Sequence, residues 1–494
     1  IQKFTDLWST VRKSVVQISI YIRKELFYIL FMKKILFIIP FFLWTCGGGG
    51  SSPTESEQNQ APVALDLNID VSRGHTTRIL LKSSINNNSR SYVIIGNPVN
   101  GSVYINNPNS ARALAYYSHD PSNDNKNDLF TYQVSSDGVL SNIATVSMQI
   151  YHSRIFYSDI PTQFYKVIPT SDGGFIAVGS TRGNRGHIIK LDNLLNQDWQ
   201  VNESSSSIAY AIFETSDGGF IISGTNMLKK INSSGDDEWS INNTDSTNEV
   251  TLPNIKATSD GGFISVGSYK EKQYLIKIDD SGNEQWSTSF GDDDSVIYRL
   301  NDVVEYNTSS GVQYITWGNT FNNNIIIDSV NYQNPPFYSV YDSNGNHVST
   351  TFEKESNVEY KSTLVSSNGD YILVGGTTSY SVVKVYDIDN MTIKKINSFE
   401  PGIIFRSISE TADGGFILAG HSNTHEDGFI AKLDSSCETI WIKSYDMYEN
   451  SSDTFYSVKE TNEGTYIIGG WTDYGYDYNN AYIVKIDSQG NLIN

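Results

Sequence analysis

Cysteine is almost missing: 494 residues hold two, Cys46 and Cys437. A disulfide framework is therefore excluded as the organising constraint, and stability has to come from packed cores. Uninterrupted runs of Ala, Leu, Glu and Lys are absent as well, which removes the usual material of long helices. Basic residues are scarce, 35 Lys and Arg against 55 Asp and Glu, for a net charge of −20. Phosphate backbones want a basic face, so nucleic acid is disfavoured as a partner. The seven histidines are scattered without H-E-x-x-H or another metal-ligand spacing. Neither a G-x-S-x-G elbow nor a phosphate-cradling glycine loop occurs.

What is abundant points to strands. Tyr (31), Phe (22) and Gly (38), with many Asn, Ser and Thr, suit short strands joined by tight turns, and an all-β class follows. The length exceeds one ordinary core, so two or three domains are expected.

Residues 32–45, MKKILFIIPFFLWT, read as an export signal. Met32 is a good initiator, Lys33 and Lys34 form the positive start, and an apolar stretch from Ile35 to Trp44 follows. That stretch is about ten residues, well short of the roughly 20 of a spanning helix. Residues 1–31 precede this initiator and read as a non-native upstream extension. The segment Leu43-Trp44-Thr45-Cys46 resembles a bacterial lipoprotein signal, although Trp44 and Thr45 depart from the small residues of that family. The resemblance implies a lipid on Cys46, membrane attachment through it, and a place at the bacterial outer membrane or cell surface. Residues 46–60, rich in Gly, Ser, Glu and Gln, suit a flexible tether. An ordinary secreted protein with a stray cysteine is the alternative. Residues 1–45 hold seven Lys or Arg against two acids, so the mature chain carries −25, which suits solubility at a cell surface.

Residues 61–151 form about seven short alternating segments separated by Gly, Asn, Asp and Pro turns, the spacing of a β-sandwich. Phe130, Tyr132 and Val134 alternate, as do Ala144, Val146 and Met148 against Ile143, Thr145 and Ser147, so one face must be buried. The ending from Asp128-Leu129-Phe130-Thr131-Tyr132 through Asp137-Gly138 to Ser141-Asn142 and Ala144-Thr145-Val146 resembles the cadherin-like, Ig-like repeats of bacterial adhesins and surface proteins. Those modules mostly serve as spacers, and many bind calcium through an acidic cluster after the second strand. Here that region, Lys82-Ser83-Ser84-Ile85-Asn86-Asn87-Asn88, lacks carboxylates. Asp120, Asp124 and Asp128 are a replacement cluster, for which a solvated loop is the preferred reading over calcium. No other cofactor is expected.

Residues 152–494 repeat one phrase: TSDGGFIAVGS from Thr170, TSDGGFIISGT from Thr215, TSDGGFISVGS from Thr258, TADGGFILAGH from Thr411 and TNEGTYIIGGW from Thr461. Weaker copies start at Ser309 and Ser366, making seven. The turn glycines Gly173, Gly218, Gly261, Gly311, Gly369, Gly414 and Gly464 are spaced by 45, 43, 50, 58, 45 and 50 residues, the period of propeller blades. A second pattern follows, as in Ile189-Lys190-Leu191-Asp192, often with Trp199, Trp239, Trp286 or Trp441 after it, giving four strands per repeat. Asp172, Asp217, Asp260, Asp413 and Glu463 precede Gly173, Gly218, Gly261, Gly414 and Gly464 and read as turn chemistry, an acceptor plus positive φ. The repeats resemble the SDGGF-type propellers of secreted and surface proteins of environmental bacteria, related in architecture to quinoprotein-like and WD-type propellers. The expected architecture is an Ig-like β-sandwich followed by a seven-bladed β-propeller. The final repeat ends short, and Arg154-Ile155-Phe156-Tyr157-Ser158-Asp159-Ile160 parallels the outer strand Trp441-Ile442-Lys443-Ser444-Tyr445-Asp446. Residues near 153–159 are therefore expected to complete the last blade.

Two functional readings remain open. The preferred one is a non-enzymatic, monomeric surface protein whose propeller binds a protein or glycan ligand, helped by aromatics such as Trp471, Tyr474, Tyr476 and Tyr478. The other is an enzyme at the central channel mouth, glycosidase-like or quinoprotein-like. Glu214, Glu410 and Glu460 recur before the turns, and Asp279 to Trp286 has a quinoprotein-like pattern. Their recurrence on several blades argues for scaffold use.

Overall fold

A computed structural model describes residues 61–493 except 85–88, 111–112, 121, 124, 157–161, 182, 204–206, 242–249, 292–295, 310, 322–323, 378, 425–426, 447–450 and 474–479. The described elements are strands. The first seven form two sheets. One orders Leu67–Ser72, Val139–Tyr151, Asn127–Ser136 and Arg90–Gly96, and the other Thr76–Leu80, Leu114–His119 and Gly101–Asn106. The alternation seen in the sequence sends Phe130, Tyr132, Val134, Ala144, Val146 and Met148 into a single shared core. Deleting one such side chain to Ala, Phe130 for example, costs about 3–5 kcal/mol.

No linker separates this module from the rest. The strand ending at Tyr151 continues through His152 into Ser153–Phe156. Backbone bonds seal the seam, with Arg73 N donating to Tyr151 O at 2.9 Å, His152 N to Ile493 O at 2.7 Å and Lys485 N to His152 O at 3.0 Å.

Seven four-stranded antiparallel sheets follow, a β-propeller whose blades 1 to 7 have inner strands Thr162–Pro169, Ala209–Glu214, Val250–Ala257, Ile297–Thr308, Glu359–Val365, Ile403–Glu410 and Asp453–Glu460. Each inner strand touches the next, and Asp453–Glu460 touches Thr162–Pro169, so the ring closes. The second strands are hydrophobic throughout because each is buried on both faces. In Phe175–Thr181, Phe175 and Ala177 enter the core shared with blade 7, while Ile176 and Val178 enter the core shared with blade 2.

Closure is made by Ser153–Phe156, which pairs antiparallel with Asn480–Ile486, Val484 opposite Ser153 and Ala481 opposite Phe156. Ile155 is buried in the core between blades 6 and 7. The remainder of the expected closing segment, residues 157–159, lies outside the described residues. The long spacing between Gly311 and Gly369 also has a structural source: blade 4 carries an extra hairpin, Asn324–Ile327 with Val330–Gln333, between its second and third strands.

Candidate functional site

The five repeated acids sit on five different blades, and each has its own lysine. Asp172 accepts hydrogen bonds from the Thr170 hydroxyl (2.5 Å) and Gly174 N (3.0 Å), and pairs with Lys190 at 2.8 Å. Asp260 pairs with Lys277 at 2.9 Å, Asp413 with Lys432 at 2.9 Å, and Glu463 with Lys485 at 2.7 Å; Asp217 pairs with Lys230 in the same way. Burial pushes the Asp172, Asp260 and Asp413 carboxyls up, but hydrogen bonds from the lysine, the threonine and the glycine N–H outweigh it and hold each at about 2. Gly173, Gly218, Gly261, Gly414 and Gly464 all have positive φ, between 72° and 87°. Nothing lies within 4 Å of a Cβ placed on any of the five, so backbone conformation, not crowding, selects glycine there.

The recurring glutamates are staples between blades. Glu214 of blade 2 accepts from Ser171 N (2.9 Å) and the Ser171 hydroxyl (2.7 Å) of blade 1. Glu410 of blade 6 does the same for Ser367 of blade 5, at 2.9 and 2.6 Å. Glu460 accepts from Ala412 N at 2.5 Å, and Glu305 from Ser259 N at 3.0 Å. The equivalent positions on blades 1, 3 and 5 are Pro169, Ala257 and Val365, which offer no side-chain acceptor.

Charged groups do converge elsewhere. Each inner strand is interrupted by a register shift: at Tyr165, Tyr210, Asn301, Lys361, Arg406 and Tyr456 in blades 1, 2, 4, 5, 6 and 7, and across Leu252 and Pro253 in blade 3. Such bulges bend a strand and re-aim a side chain. The next residues form one rung around the channel, Lys166, Ala211, Asn254, Asp302, Ser362, Ser407 and Ser457. Two residues further on, the same face of the strands carries Lys256 in blade 3 and Lys459 in blade 7. The residues between, such as Val167, Ile255, Val303 and Val458, point away and are buried between blades.

In this channel Lys256 Nζ bonds Asp302 Oδ1 at 2.8 Å and Thr363 O at 3.0 Å. Lys459 Nζ donates to the Ser409 hydroxyl at 3.0 Å. Lys166 is half-exposed at its surface and otherwise surrounded by protein. That burial pushes its ammonium down to about 8, with Asp302 opposing and Lys459 and Lys256 adding to the fall.

Above the lysines, at the end where the inner strands begin, Tyr165 contacts Tyr210 and Tyr456 with ring centroids 4.9 and 5.3 Å apart. The Arg406 guanidinium lies 5.2 Å from the Tyr456 centroid, and Trp471 Nε1 donates to Tyr456 Oη at 3.4 Å. Blades 1, 2, 6 and 7 thus build a half-buried aromatic and cationic patch. Sequence inspection named Trp471 and missed the rest; the clue available was Tyr165, Tyr210, Arg406 and Tyr456, each eight residues before the turn glycine of its repeat.

The other expected residues are dispersed. Cys46 lies outside the described residues, as do Asp124 and Tyr474, Tyr476 and Tyr478. Asp128 is turned inward, accepting from Val99 N, Asn100 N and the Tyr117 hydroxyl at 2.9 Å each, while Asp120 caps Ser122. Among the described residues no group of three potential metal ligands occurs. Asp279 holds its own turn through Ser281 N and Asn283 N. Cys437 lies in the turn before Thr439–Tyr445 and is buried there, with φ of 58°.

No protein-family model matches the chain, and no curated protein does. Among solved structures it is similar to a protein of unknown function from Bacteroides caccae, at 13% identity and TM-score 0.39, covering 56% of this chain and 96% of the other. It is also similar to the Dos1 propeller, at 10% identity and TM-score 0.43, covering 68% and 95%. A third is YCF48 bound to D1 peptide, at 11% identity and TM-score 0.42, covering 68% and 96%. Superpositions this loose carry no ligand across, so function has to be read from this chain's own residues.

Proposed function

We propose that this is an exported surface lipoprotein, anchored through Cys46 and raised on an Ig-like module, whose propeller binds a protein or glycan ligand at the channel mouth without transforming it. The observation that carries the reading is the patch of Tyr165, Tyr210, Tyr456, Trp471 and Arg406, drawn from four blades. Tyrosine and arginine together offer stacking faces and donors to a sugar or a side chain. The recurring carboxylates, by contrast, are engaged in turns and staples. A glycan array and a pull-down on intact cells, run with the native protein and with Tyr210→Ser and Arg406→Ala, test the reading. Loss of capture in both variants at unchanged melting temperature supports it, and undiminished capture refutes it.

An enzyme at the channel is the second reading. It is favoured by Lys166, whose ammonium is held at about 8, within reach of general-base chemistry at neutral pH. Turnover of chromogenic glycosides that disappears in Lys166→Met is the outcome this reading requires.

A further inference from the structure

We infer that the central channel is a site for an anionic oxygen group, a carboxylate, sulfate or phosphate, held by Lys166, Lys256 and Lys459. This names the ligand chemistry and rests on the channel being the ligand-binding part of the propeller.

The charge balance of the two channel rungs is the starting point. They bring three lysines and a single acid, Asp302, to equivalent positions on the inner strands, in a protein whose overall charge is −20. Asp302 is heavily engaged: Oδ1 accepts from Lys256 Nζ (2.8 Å), Asn254 Nδ2 (2.7 Å) and Val303 N (2.8 Å), and Oδ2 from Thr363 N (2.6 Å). Its single negative charge is paired directly with Lys256, and no ion pair joins it to Lys166 or Lys459. Lys459 meets a neutral hydroxyl, Ser409. The nearest acids to it, Glu410 and Glu460, are turned to the backbone of neighbouring blades. Lys166 has no hydrogen-bond or ion-pair partner among the described residues.

Lys166 is surrounded by protein and Lys459 is exposed to the channel solvent; their ammoniums repel each other, and Lys166 has no protein acceptor among the described residues for its three N–H groups. An anion entering between them would relieve that repulsion. An oxyanion supplies several acceptors at once and suits donors that arrive from blades 1, 3 and 7, where a single-acceptor ligand would satisfy only one. The tyrosines at the mouth leave room for this group to be free or to be the acidic substituent of a sugar stacked above it.

Calorimetry and thermal melting of the intact protein with sodium sulfate, sodium phosphate and sodium glucuronate, each at low millimolar concentration with chloride held constant, provide the test. At least one probe should bind and raise the melting temperature. Lys166→Met and Lys459→Met should each weaken it by about tenfold or more, while Lys395→Met, on the outer strand of blade 5, should not. Without anion, Lys166→Met should melt no lower than the native protein, since it removes an uncompensated charge; this guards against a variant that merely misfolds. Binding by all three probes points to a free anion, and binding by glucuronate alone to an acidic sugar. Absence of binding by every probe, or binding that survives both substitutions, overturns the inference. If anions fail while the mouth variants still abolish capture, the anion site is wrong and the mouth reading stands.

Discussion

The indole of Trp286 in blade 3 lies against Gly345 in blade 4, so closely that a Cβ on that glycine would stand 2.5 Å from the ring. Trp286 Nε1 also donates to Ser343 O at 3.1 Å. The same contact joins Trp199 to Gly235, Trp239 to Gly282 and Trp441 to Gly490. Where the outer strand lacks tryptophan, the turn lacks glycine: Arg154 donates to Leu195 O at 2.8 Å, and Lys395 to Ser436 O beside Cys437. Leu195 and Cys437 keep the positive φ, 66° and 58°. Outer strand and neighbouring turn are therefore matched in pairs around the ring.

Gly345→Ala should be markedly worse than Gly173→Ala. Both residues have positive φ, 80° and 87°, which costs alanine about 1–2 kcal/mol. Only Gly345 adds a collision with an indole, worth about 1–3 kcal/mol more. Urea unfolding of the two variants measures the difference, and equal midpoints would show that the Trp286 contact is slack.

Acid should weaken the blades in a defined window. Asp172, Asp260 and Asp413 are held at about 2 against an ordinary 3.8, so their folded pKa is depressed. Their contribution is complete above about pH 4 and is lost as pH falls toward 2. At neutral pH, Asp260→Asn leaves the buried Lys277 without its counter-charge and should cost about 1–3 kcal/mol. Fluorescence-monitored unfolding against pH should show the variant nearly insensitive to its own share of this window.

Much of this scaffold was legible in the sequence. The repeat phrase marked the seven turns, and the parallel between residues 154–160 and 441–446 marked the strand that closes the ring. What stayed hidden was pairwise. The lysine of the third strand is visible as Lys190, Lys277, Lys432 and Lys485, but only the folded sheet shows that it reaches back to the acid of the first turn. The channel rung was hidden for another reason. Its charged residues, Lys166 and Asp302, each occur on one blade, while the other blades carry Ala, Asn or Ser there, so repetition, the strongest signal available, pointed away from them.

Lys166 has a folded pKa lowered to about 8 from an ordinary 10.5. The unfolded chain then binds more protons between those values, so stability rises as pH climbs from about 8 to about 10.5. The difference in stability between the native protein and Lys166→Met isolates this residue from the tyrosines that titrate in the same range. In anion-free buffer that difference should shrink with rising pH; a constant difference would place the ammonium in water.

A chain beginning at Gln163 lacks Ser153–Phe156 and exposes the edge of Asn480–Ile486. It should melt earlier than the native protein and self-associate in sedimentation. A monomer of undiminished melting temperature would mean that the closing strand contributes little.

The central claim separates geometry, held by the repeated acids, from recognition, held by the unrepeated channel residues. The most direct measurement is glycan-array binding alongside melting temperature for Arg406→Ala and for Asp260→Asn. Arg406→Ala is expected to lose binding and keep its melting temperature, and Asp260→Asn to melt earlier and keep binding. The reverse pattern would contradict it.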